Sequence, residues 1–155
     1  MIYYAPVMRF LGKYIAAIHE ASQKWLAAEL AAAGLVGLAP SHGDILACLY
    51  SRGEATMHEL ADFAHRTRPT TTVLVDKMEA MGLVVRERSK EDTRSQIVRL
   101  TKRGESMRGM FESISERYMK LLSAGLSRCE SEETEGVLSR ILSNIEKEQH
   151  AAHIS

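Results

Sequence analysis

The chain has few of the residues that mark several large protein classes. Two of its 155 residues are cysteine and three are proline. Cys48 and Cys129 stand far apart in sequence, which is unlike the framework of a small disulfide-rich protein. No apolar run reaches the 18 or so residues of a membrane helix, and the N-terminal MIYYAPVMRF lacks the basic and apolar regions of a signal peptide. These absences predict a cytoplasmic protein without a membrane span.

Motifs of catalysis are also missing. The sequence contains no nucleophile elbow, no phosphate-binding loop and no paired-carboxylate site. His58 and Glu59 begin a zinc-protease-like H-E-x-x-H, but Asp62 stands where the second histidine would be. The six histidines are otherwise scattered and there is no C-x-x-C pair. We therefore expect no enzyme, no catalytic residue, no metal and no cofactor.

The chain has no net charge, which alone is a weak argument against a nucleic-acid partner. The charge is unevenly distributed, however. Residues 66–103 hold ten Lys and Arg against five Asp and Glu, a formal charge of +5, and the rest of the chain carries −5. A basic centre between acidic ends fits the phosphate backbone of DNA, although a mixed surface would give the same count.

Periodic apolar residues predict six helices. The first spans residues 7–33 and ends at Gly34. The second begins at Pro40, with Ser41 and Asp44 as a start signal, and ends at Gly53. Two short helices follow in the centre of the chain. A long fifth helix is predicted over residues 101–126, and Ser131 is expected to cap the last one.

The two central helices form a helix-turn-helix pattern. Thr56 and Glu59 make a capping box at the start of the first, and Thr67 can cap the second. In the second helix, helical spacing predicts a core face and an opposite, solvent-exposed face. The core face comprises Thr71, Leu74, Val75 and Met78, and the exposed face comprises Pro69, Thr72, Val73 and Asp76.

A β-ribbon follows this motif directly. Val84 and Val85 favour one strand, residues 97–100 favour another, and the connecting tip at residues 89–95 has no apolar side chain. Thr101 can cap the next helix. Taken alone, the ribbon fits an ordinary hairpin as well as a DNA-gripping wing. Its position after a helix-turn-helix favours a winged helix.

The predicted fold is mostly α with a small β-ribbon: an α/β winged helix of six helices and a two- to three-stranded wing. We place an N-terminal dimerisation helix at 1–37, the winged helix-turn-helix at 38–100 and C-terminal dimerisation helices at 101–150. The terminal helices carry more apolar surface than a small central domain needs. They either fold back within a monomer or pair with a second copy, and we favour the homodimer.

The chain resembles the MarR family of bacterial transcriptional regulators. The resemblance covers roughly residues 35–145 and rests on LAPSHGDILACL (38–49), MHELADFA (57–64) and the segment 67–104. The family's wing signature is matched by Asp92, Arg94, Leu100, Thr101 and Gly104. Two departures are Ala39, where the family often has a threonine cap, and Val73, where a polar or basic residue is common. The resemblance implies a triangular, mostly helical homodimer that controls a nearby operon, most simply as a repressor.

From this resemblance we expect the helix from Thr67 to Met81 to lie in the major groove of double-stranded DNA. Arg94 would enter the minor groove, Asp92 would orient it and Lys90 would contact a phosphate. The predicted DNA-binding residues are Arg68, Thr70, Thr72, Val73, Lys77, Arg86, Arg88, Lys90, Asp92 and Arg94.

The resemblance also implies release by a small ligand or by oxidation. The effector would be a small aromatic or phenolic compound, and the expected binding residues are His19, His42, Leu46, Met107 and Phe111. Leu46, Met107 and Phe111 also fit a plain core, and His42, next to the expected Ser41–Asp44 cap, also fits a surface histidine. Two alternatives stay open: a redox-sensing regulator that uses Cys48 or Cys129, and a winged helix that binds only proteins.

Overall fold

The computed structural model describes residues 9–89 and 95–154, with only the backbone for residue 150 and residues 152–154. The described residues form seven helices and three strands. These are α1 (Leu11–Ala32), α2 (Pro40–Arg52), β1 (Glu54–Thr56), α3 (Met57–Phe63), α4 (Arg68–Ala80), β2 (Val84–Arg88), β3 (Gln96–Leu100), α5 (Lys102–Ser106), α6 (Arg108–Leu122) and α7 (Arg128–Ile154). The predicted fold class, mostly helical with a small β-ribbon, is confirmed.

The three strands form one antiparallel sheet in the order β1-β3-β2. In the ribbon, Val84 pairs with Leu100 and Arg88 pairs with Gln96. On the other side of β3, Glu54 pairs with Arg99. The sheet therefore contains the predicted two-stranded ribbon and a short third strand that directly precedes α3.

The core lies between α2, α3, α4 and the sheet. Its fully buried side chains include Ile45, Leu46 and Leu49 of α2, Leu60 of α3, Val75 and Met78 of α4, and Leu83, Val84 and Val98 at the ribbon. Burying each Val, Leu or Ile contributes about 1.5–3 kcal/mol. The predicted core face of α4 is confirmed, since Thr71, Leu74, Val75 and Met78 are all buried. This packing fixes which side of α4 faces the solvent.

The prediction of one helix over residues 101–126 was wrong, because the segment is broken into α5 and α6 at Met107. Thr101 does cap α5: its hydroxyl accepts a hydrogen bond from the Gly104 N–H at 3.1 Å. The Gly104 carbonyl then accepts from the Met107 N–H and from the Tyr50 hydroxyl, at 3.3 and 2.9 Å. A distant side chain on α2 thus occupies a carbonyl at the break, and the count of helices rises from six to seven.

Two predicted helix starts also differ from the structure. Within the described residues, α1 begins at Leu11, after a turn at residues 9 and 10, and the predicted start at residue 7 lies outside them. The last helix begins at Arg128, because Ser127 and Glu130 form the reciprocal cap. Ser131, the expected cap, lies inside α7, where its hydroxyl donates to the Ser127 carbonyl.

The chain divides into two compact units, one that ends at Ser115 and one that begins at Glu116. The second unit holds the end of α6 and all of α7. Along α7, Leu138, Leu142 and Ile145 are about half exposed. Across residues 9–89 and 95–154, no helix combines the length and apolar character needed to cross a membrane.

Candidate nucleic-acid interface

Helices α3 and α4 are joined by a tight turn with defined ends. The predicted capping box is confirmed: the Thr56 hydroxyl accepts from the Glu59 N–H, and the Glu59 carboxylate accepts from the Thr56 N–H at 2.8 Å. The hydrogen bonds that the Thr56 N–H and hydroxyl donate to this carboxylate lower the pKa of Glu59. At the other end of α3, His65 takes φ 49° while the Arg66 N–H donates to the Ala61 carbonyl. The turn is therefore built from local bonds at both ends of α3.

The exposed face of α4 begins at its cap. The Thr67 hydroxyl accepts from the Thr70 N–H, as predicted, at 3.4 Å. Thr70, Thr72 and Val73 are exposed, and Val73 shows 67% of its surface to solvent. The Thr72 hydroxyl donates to the Arg68 carbonyl, which leaves its lone pairs free to accept. The first turns of α4 thus present hydroxyl and methyl groups on one face.

Arg68 lies at the start of this face and contacts α3. Its Nη2 is 3.0 Å from Nδ1 of His58, and Nε2 of the same imidazole is 3.2 Å from a carboxylate oxygen of Asp62. The sequence showed His58 and Asp62 four residues apart on one helix. It did not show that Arg68, ten residues after His58, would join them.

At the C-terminal end of α4, Arg86 of β2 is held by two carboxylates. Its guanidinium donates to Glu79 at 2.6 and 3.0 Å and to Asp76 at 2.5 Å, and its backbone N–H also donates to Glu79. The hydrogen bonds from Arg86 lower the pKa of Glu79 and raise that of Arg86. The Arg86 side chain is only 22% exposed. This arrangement does not support the predicted contact of Arg86 with DNA, because two carboxylates offset its charge and occupy its Nε and Nη2 donors.

A second arginine on the sheet is neutralised in the same way. Arg99 of β3 pairs with Glu54 of β1 at 2.6 Å and with Glu87 of β2 at 3.3 Å. Arg88, at the end of β2, is exposed. The wing-tip residues Lys90, Asp92 and Arg94 lie outside the described residues, so their roles stay predictions.

The ribbon is locked to the end of α4 by a close backbone approach. Gly82 ends α4 with φ 71°, a conformation that favours glycine. The Thr101 hydroxyl donates to the Gly82 carbonyl at 2.6 Å, and the Thr101 N–H donates to Leu83 O at 3.0 Å. A β-carbon at Gly104 would overlap the same Leu83 carbonyl. Glycine is therefore required at residue 104, the last position of the wing signature.

The α5–α6 junction also contacts α2. Arg108 donates to the Tyr50 carbonyl at 2.9 Å and lies 4.7 Å from the centre of the Tyr50 ring. Glu105 pairs with Arg108 at 2.6 Å. Burial raises the pKa of Tyr50 to about 12, so its hydroxyl stays protonated and can donate to Gly104. Sequence reasoning missed this cluster, because its two parts lie more than 50 residues apart.

His42 differs most from its expected surroundings. It is 4% exposed rather than on the surface, and it caps α2 in place of Ser41. Its Nδ1 accepts from the Ala39 N–H at 2.9 Å, which explains how the helix begins without the family's threonine. Nδ1 is therefore unprotonated and Nε2 carries the hydrogen. That buried Nε2 has no hydrogen-bond partner among the described residues.

The environment of His42 disfavours its charged form. Burial lowers the pKa of His42 despite the bond to Ala39, and the charge of Lys77 lowers it further. Lys77 itself passes close to the loop before α2, where its Cε would lie 3.8 Å from a β-carbon at Gly37. Lys77 therefore lies beside the start of α2 as well as on α4.

The other expected effector residues lie in different environments. Leu46 and Phe111 are buried in the core and Met107 packs against it, while His19 is exposed on α1. Cys48 is fully buried, and burial raises the pKa of its thiol. Cys129 is exposed in the first turn of α7.

Comparisons with known proteins agree with this architecture. The model of the MarR family matches residues 38–96. In Bacillus subtilis (strain 168), the uncharacterized HTH-type transcriptional regulator YdgJ is 30% identical over 109 residues, which are 70% of this chain and 66% of YdgJ. The uncharacterized HTH-type transcriptional regulator YfiV of the same strain is 32% identical over 110 residues, or 67% of each chain. The match thus spans about two thirds of these curated relatives.

Among solved structures, a complex of S. aureus MepR with DNA is 25% identical and superposes with a TM-score of 0.75. The alignment covers 91% of this chain and 99% of that one. The chain therefore belongs to the MarR family of winged-helix transcriptional regulators, as the resemblance predicted, and is a regulator rather than an enzyme.

Proposed function

We propose that the chain binds double-stranded DNA sequence-specifically as a homodimer, in the cytoplasm, and represses transcription until a small molecule releases it. The observation that supports this best is the division of α4 into two faces. One face is locked in the core through Thr71, Val75 and Met78, and the other presents Thr72 and Val73 to the solvent. A rigid helix with an exposed, polar N-terminal face is the form in which helix-turn-helix proteins enter the major groove. The MepR structure, of similar fold, contains DNA.

Each exposed group on α4 has a matching chemistry in the groove. Arg68 has the forked donors that suit guanine, Thr70 can donate or accept, and the Thr72 hydroxyl can accept. Val73 has only methyl groups to offer, which suit the methyl group of thymine. Lys77 would contact a phosphate, where position matters more than base identity. Together these contacts would read a short half-site.

The wing would add a second contact. Arg88 at the end of β2 is exposed, and the tip beyond it carries Lys90, Asp92 and Arg94. Arg94 would enter the neighbouring minor groove, with Asp92 orienting it and Lys90 on a phosphate. Arg86 would act indirectly, because it joins β2 to α4 and so sets where the wing begins.

Exposed apolar side chains on the first and last helices favour dimerisation. From the N-cap of α1 onward, Phe10, Tyr14 and Ile18 repeat every four residues and are each more than half exposed. On α7, Leu138, Leu142 and Ile145 continue the predicted stripe. Monomeric proteins rarely leave such stripes uncovered. Residues 1–37 and 101–150 would form the dimer interface, and the operator would be an inverted repeat with half-sites about 10 bp apart.

For the effector, we retain His42 and give less weight to His19. A carboxylate or phenolate oxygen of a small aromatic acid could accept the unpaired Nε2 hydrogen of His42, and the nearby Lys77 would favour an anion. Leu46, Met107 and Phe111 would contribute apolar surface. Redox release through Cys48 is the weaker alternative, because a buried thiol with a raised pKa forms little thiolate.

The direct test is a titration of the protein with DNA from upstream of its own gene, followed by fluorescence anisotropy at several salt concentrations. We expect saturable binding with one dimer per site and a steep decrease with salt. Arg94→Ala should weaken binding and reduce the salt slope by about one. Binding no tighter than to random DNA would favour a protein-binding winged helix instead. Light scattering would decide between monomer and dimer.

A further inference from the structure

The partner of Arg68 is unusual for an arginine in this region. Arg86, Arg99 and Arg108 each contact carboxylates directly. Arg68 instead contacts the ring nitrogen Nδ1 of His58 at 3.0 Å. Because that partner is an imidazole, Arg68 is held in place without being neutralised by a carboxylate in direct contact.

The contact determines the protonation of His58. A guanidinium has only N–H donors, so Nδ1 must be the acceptor and carry no hydrogen. The hydrogen of the neutral ring is then on Nε2, which lies 3.2 Å from the Asp62 carboxylate and can donate to it. The chain of contacts from Arg68 to His58 to Asp62 is therefore complete only when the imidazole is neutral and in this tautomer.

Protonation would break this chain at one point. A hydrogen on Nδ1 would remove the acceptor and place two cations against each other, while the contact of Nε2 with Asp62 would strengthen. The other charged groups near His58 do not replace the lost acceptor. They are Glu59, the next residue on α3, and Arg52 of α2, which pairs with Glu59 at 3.6 Å.

We propose that His58 is a positioning residue for DNA recognition, which holds Arg68 in its reading orientation when neutral and releases it when protonated. This inference depends on the proposed DNA binding. Protonation of His58 at lower pH would then reduce sequence specificity. Non-specific affinity would rise instead, because the protein gains positive charge.

The test measures the ratio of the affinities for a preferred and a scrambled duplex. A fraction of unfolded protein lowers both affinities equally and leaves this ratio unchanged. A preferred duplex is first selected from a random-sequence library by the wild-type protein at pH 8. Dissociation constants for this duplex and for a scrambled one are then measured from pH 8 to pH 5.5 at constant ionic strength. We expect the ratio of the two affinities for the wild type to fall about tenfold, the effect of losing one base contact.

Two variants at position 58 separate positioning from bulk structure. His58→Asn keeps an acceptor near the Nδ1 position but does not titrate, so its ratio should stay high at every pH. His58→Leu removes the acceptor, so its ratio should be low at every pH. The control is Glu20→Gln, which changes an exposed side chain on α1 and should follow the wild type.

A wild-type ratio that does not change with pH would overturn the inference, and so would an equal fall in His58→Asn. Failure of the proposed function would look different. In that case the library would yield no enriched sequence at pH 8, and Arg68→Ala would leave binding unchanged.

Discussion

The two ends of α4 are stabilised in different ways. At the C-terminal end, Arg86 bonds two carboxylates, and backbone carbonyls of Gly82 and Leu83 accept from Thr101. At the N-terminal end, Arg68 contacts only α3, through His58, among the bonds described for its side chain. The C-terminal end of α4 is therefore fixed to the ribbon, and the N-terminal end leaves the Arg68 guanidinium exposed to the solvent.

This difference changes how the basic centre of the chain should be interpreted. The count of +5 over residues 66–103 treats every arginine as equal. Arg86 and Arg99 are each paired with two carboxylates and therefore add little to the positive potential. Among the described residues, Arg68 at the start of α4 and Arg88 at the end of β2 are exposed instead. The predictions below test whether the two ends can be changed independently.

The largest effect is expected from Gly104→Ala, at the C-terminal end of α4 where the ribbon is attached. The added β-carbon would overlap Leu83 O, a backbone atom that cannot move without displacing the ribbon from α4. We expect a loss of about 3 kcal/mol or more in the free energy of unfolding, measured by urea denaturation. Gly109→Ala is the control, because nothing lies within 4 Å of the new carbon. It should be neutral or stabilise by up to about 1 kcal/mol.

The next effect is expected at the exposed end. Arg68→Ala should weaken binding to the selected duplex about 5- to 150-fold, as expected for the loss of about 1–3 kcal/mol. The unfolding free energy should change by less than about 0.5 kcal/mol, because the residue is exposed. Arg128→Ala on α7, whose side chain is 92% exposed, should change neither quantity. A large loss of stability in Arg68→Ala would show that the two ends are not functionally distinct.

A smaller effect is expected from Glu79→Gln, also at the C-terminal end of α4. The variant keeps the size of the side chain but loses the charge that Arg86 contacts, and partial exposure of Glu79 limits the loss to about 1 kcal/mol. The pKa of Glu79 is lower in the folded state, so this stabilisation is present above pH 4.5 and is lost as the pH falls through the folded pKa. The difference between wild type and variant, measured by urea denaturation, should therefore shrink at acidic pH.

The control for Glu79→Gln is Glu20→Gln, in an exposed pair with Lys24 on α1. It should change stability very little at any pH. An equal loss in both variants would mean that the bonds to Arg86 contribute nothing beyond a surface ion pair.

Sequence predicted best what depends on nearby residues. The caps at Thr56, Thr67 and Thr101 and the buried face of α4 follow from spacings of three and four residues, and all are confirmed. Ser127 and Glu130 form a capping box at the start of α7, which is also a local sequence signal. The prediction placed the cap at Ser131 and missed it.

The sequence did not predict contacts between segments that lie far apart in the chain. The break at Met107 involves Tyr50, and the neutralisation of Arg86 depends on how the ribbon folds onto α4. The burial of His42 depends on packing that no local pattern shows. The sequence therefore predicted which residues belong to the candidate interface, but not which of its arginines pair with carboxylates.

The smallest effect concerns His42, which lies near Lys77 on the second half of α4. Its pKa is lowered on folding from the usual 6.5, so the unfolded chain binds more protons at mildly acidic pH. Stability should therefore fall as the pH drops below 6.5, by at most about 1.4 kcal/mol per pH unit. Urea denaturation between pH 5.5 and 7.5 measures this slope. In that window the carboxylates with lowered pKa values, such as Glu59 and Glu79, stay charged and contribute no slope.

His42→Asn isolates this contribution, because an asparagine oxygen can still accept the Ala39 N–H while the titrating ring is gone. The variant should have a flatter stability profile from pH 5.5 to 6.5, and His19→Asn should keep the wild-type slope. If His42→Asn keeps the full slope, another group titrates in this range. A small aromatic acid that binds at Nε2 should stabilise the wild type and leave His42→Asn unchanged, so the same two proteins also test whether His42 contacts the effector.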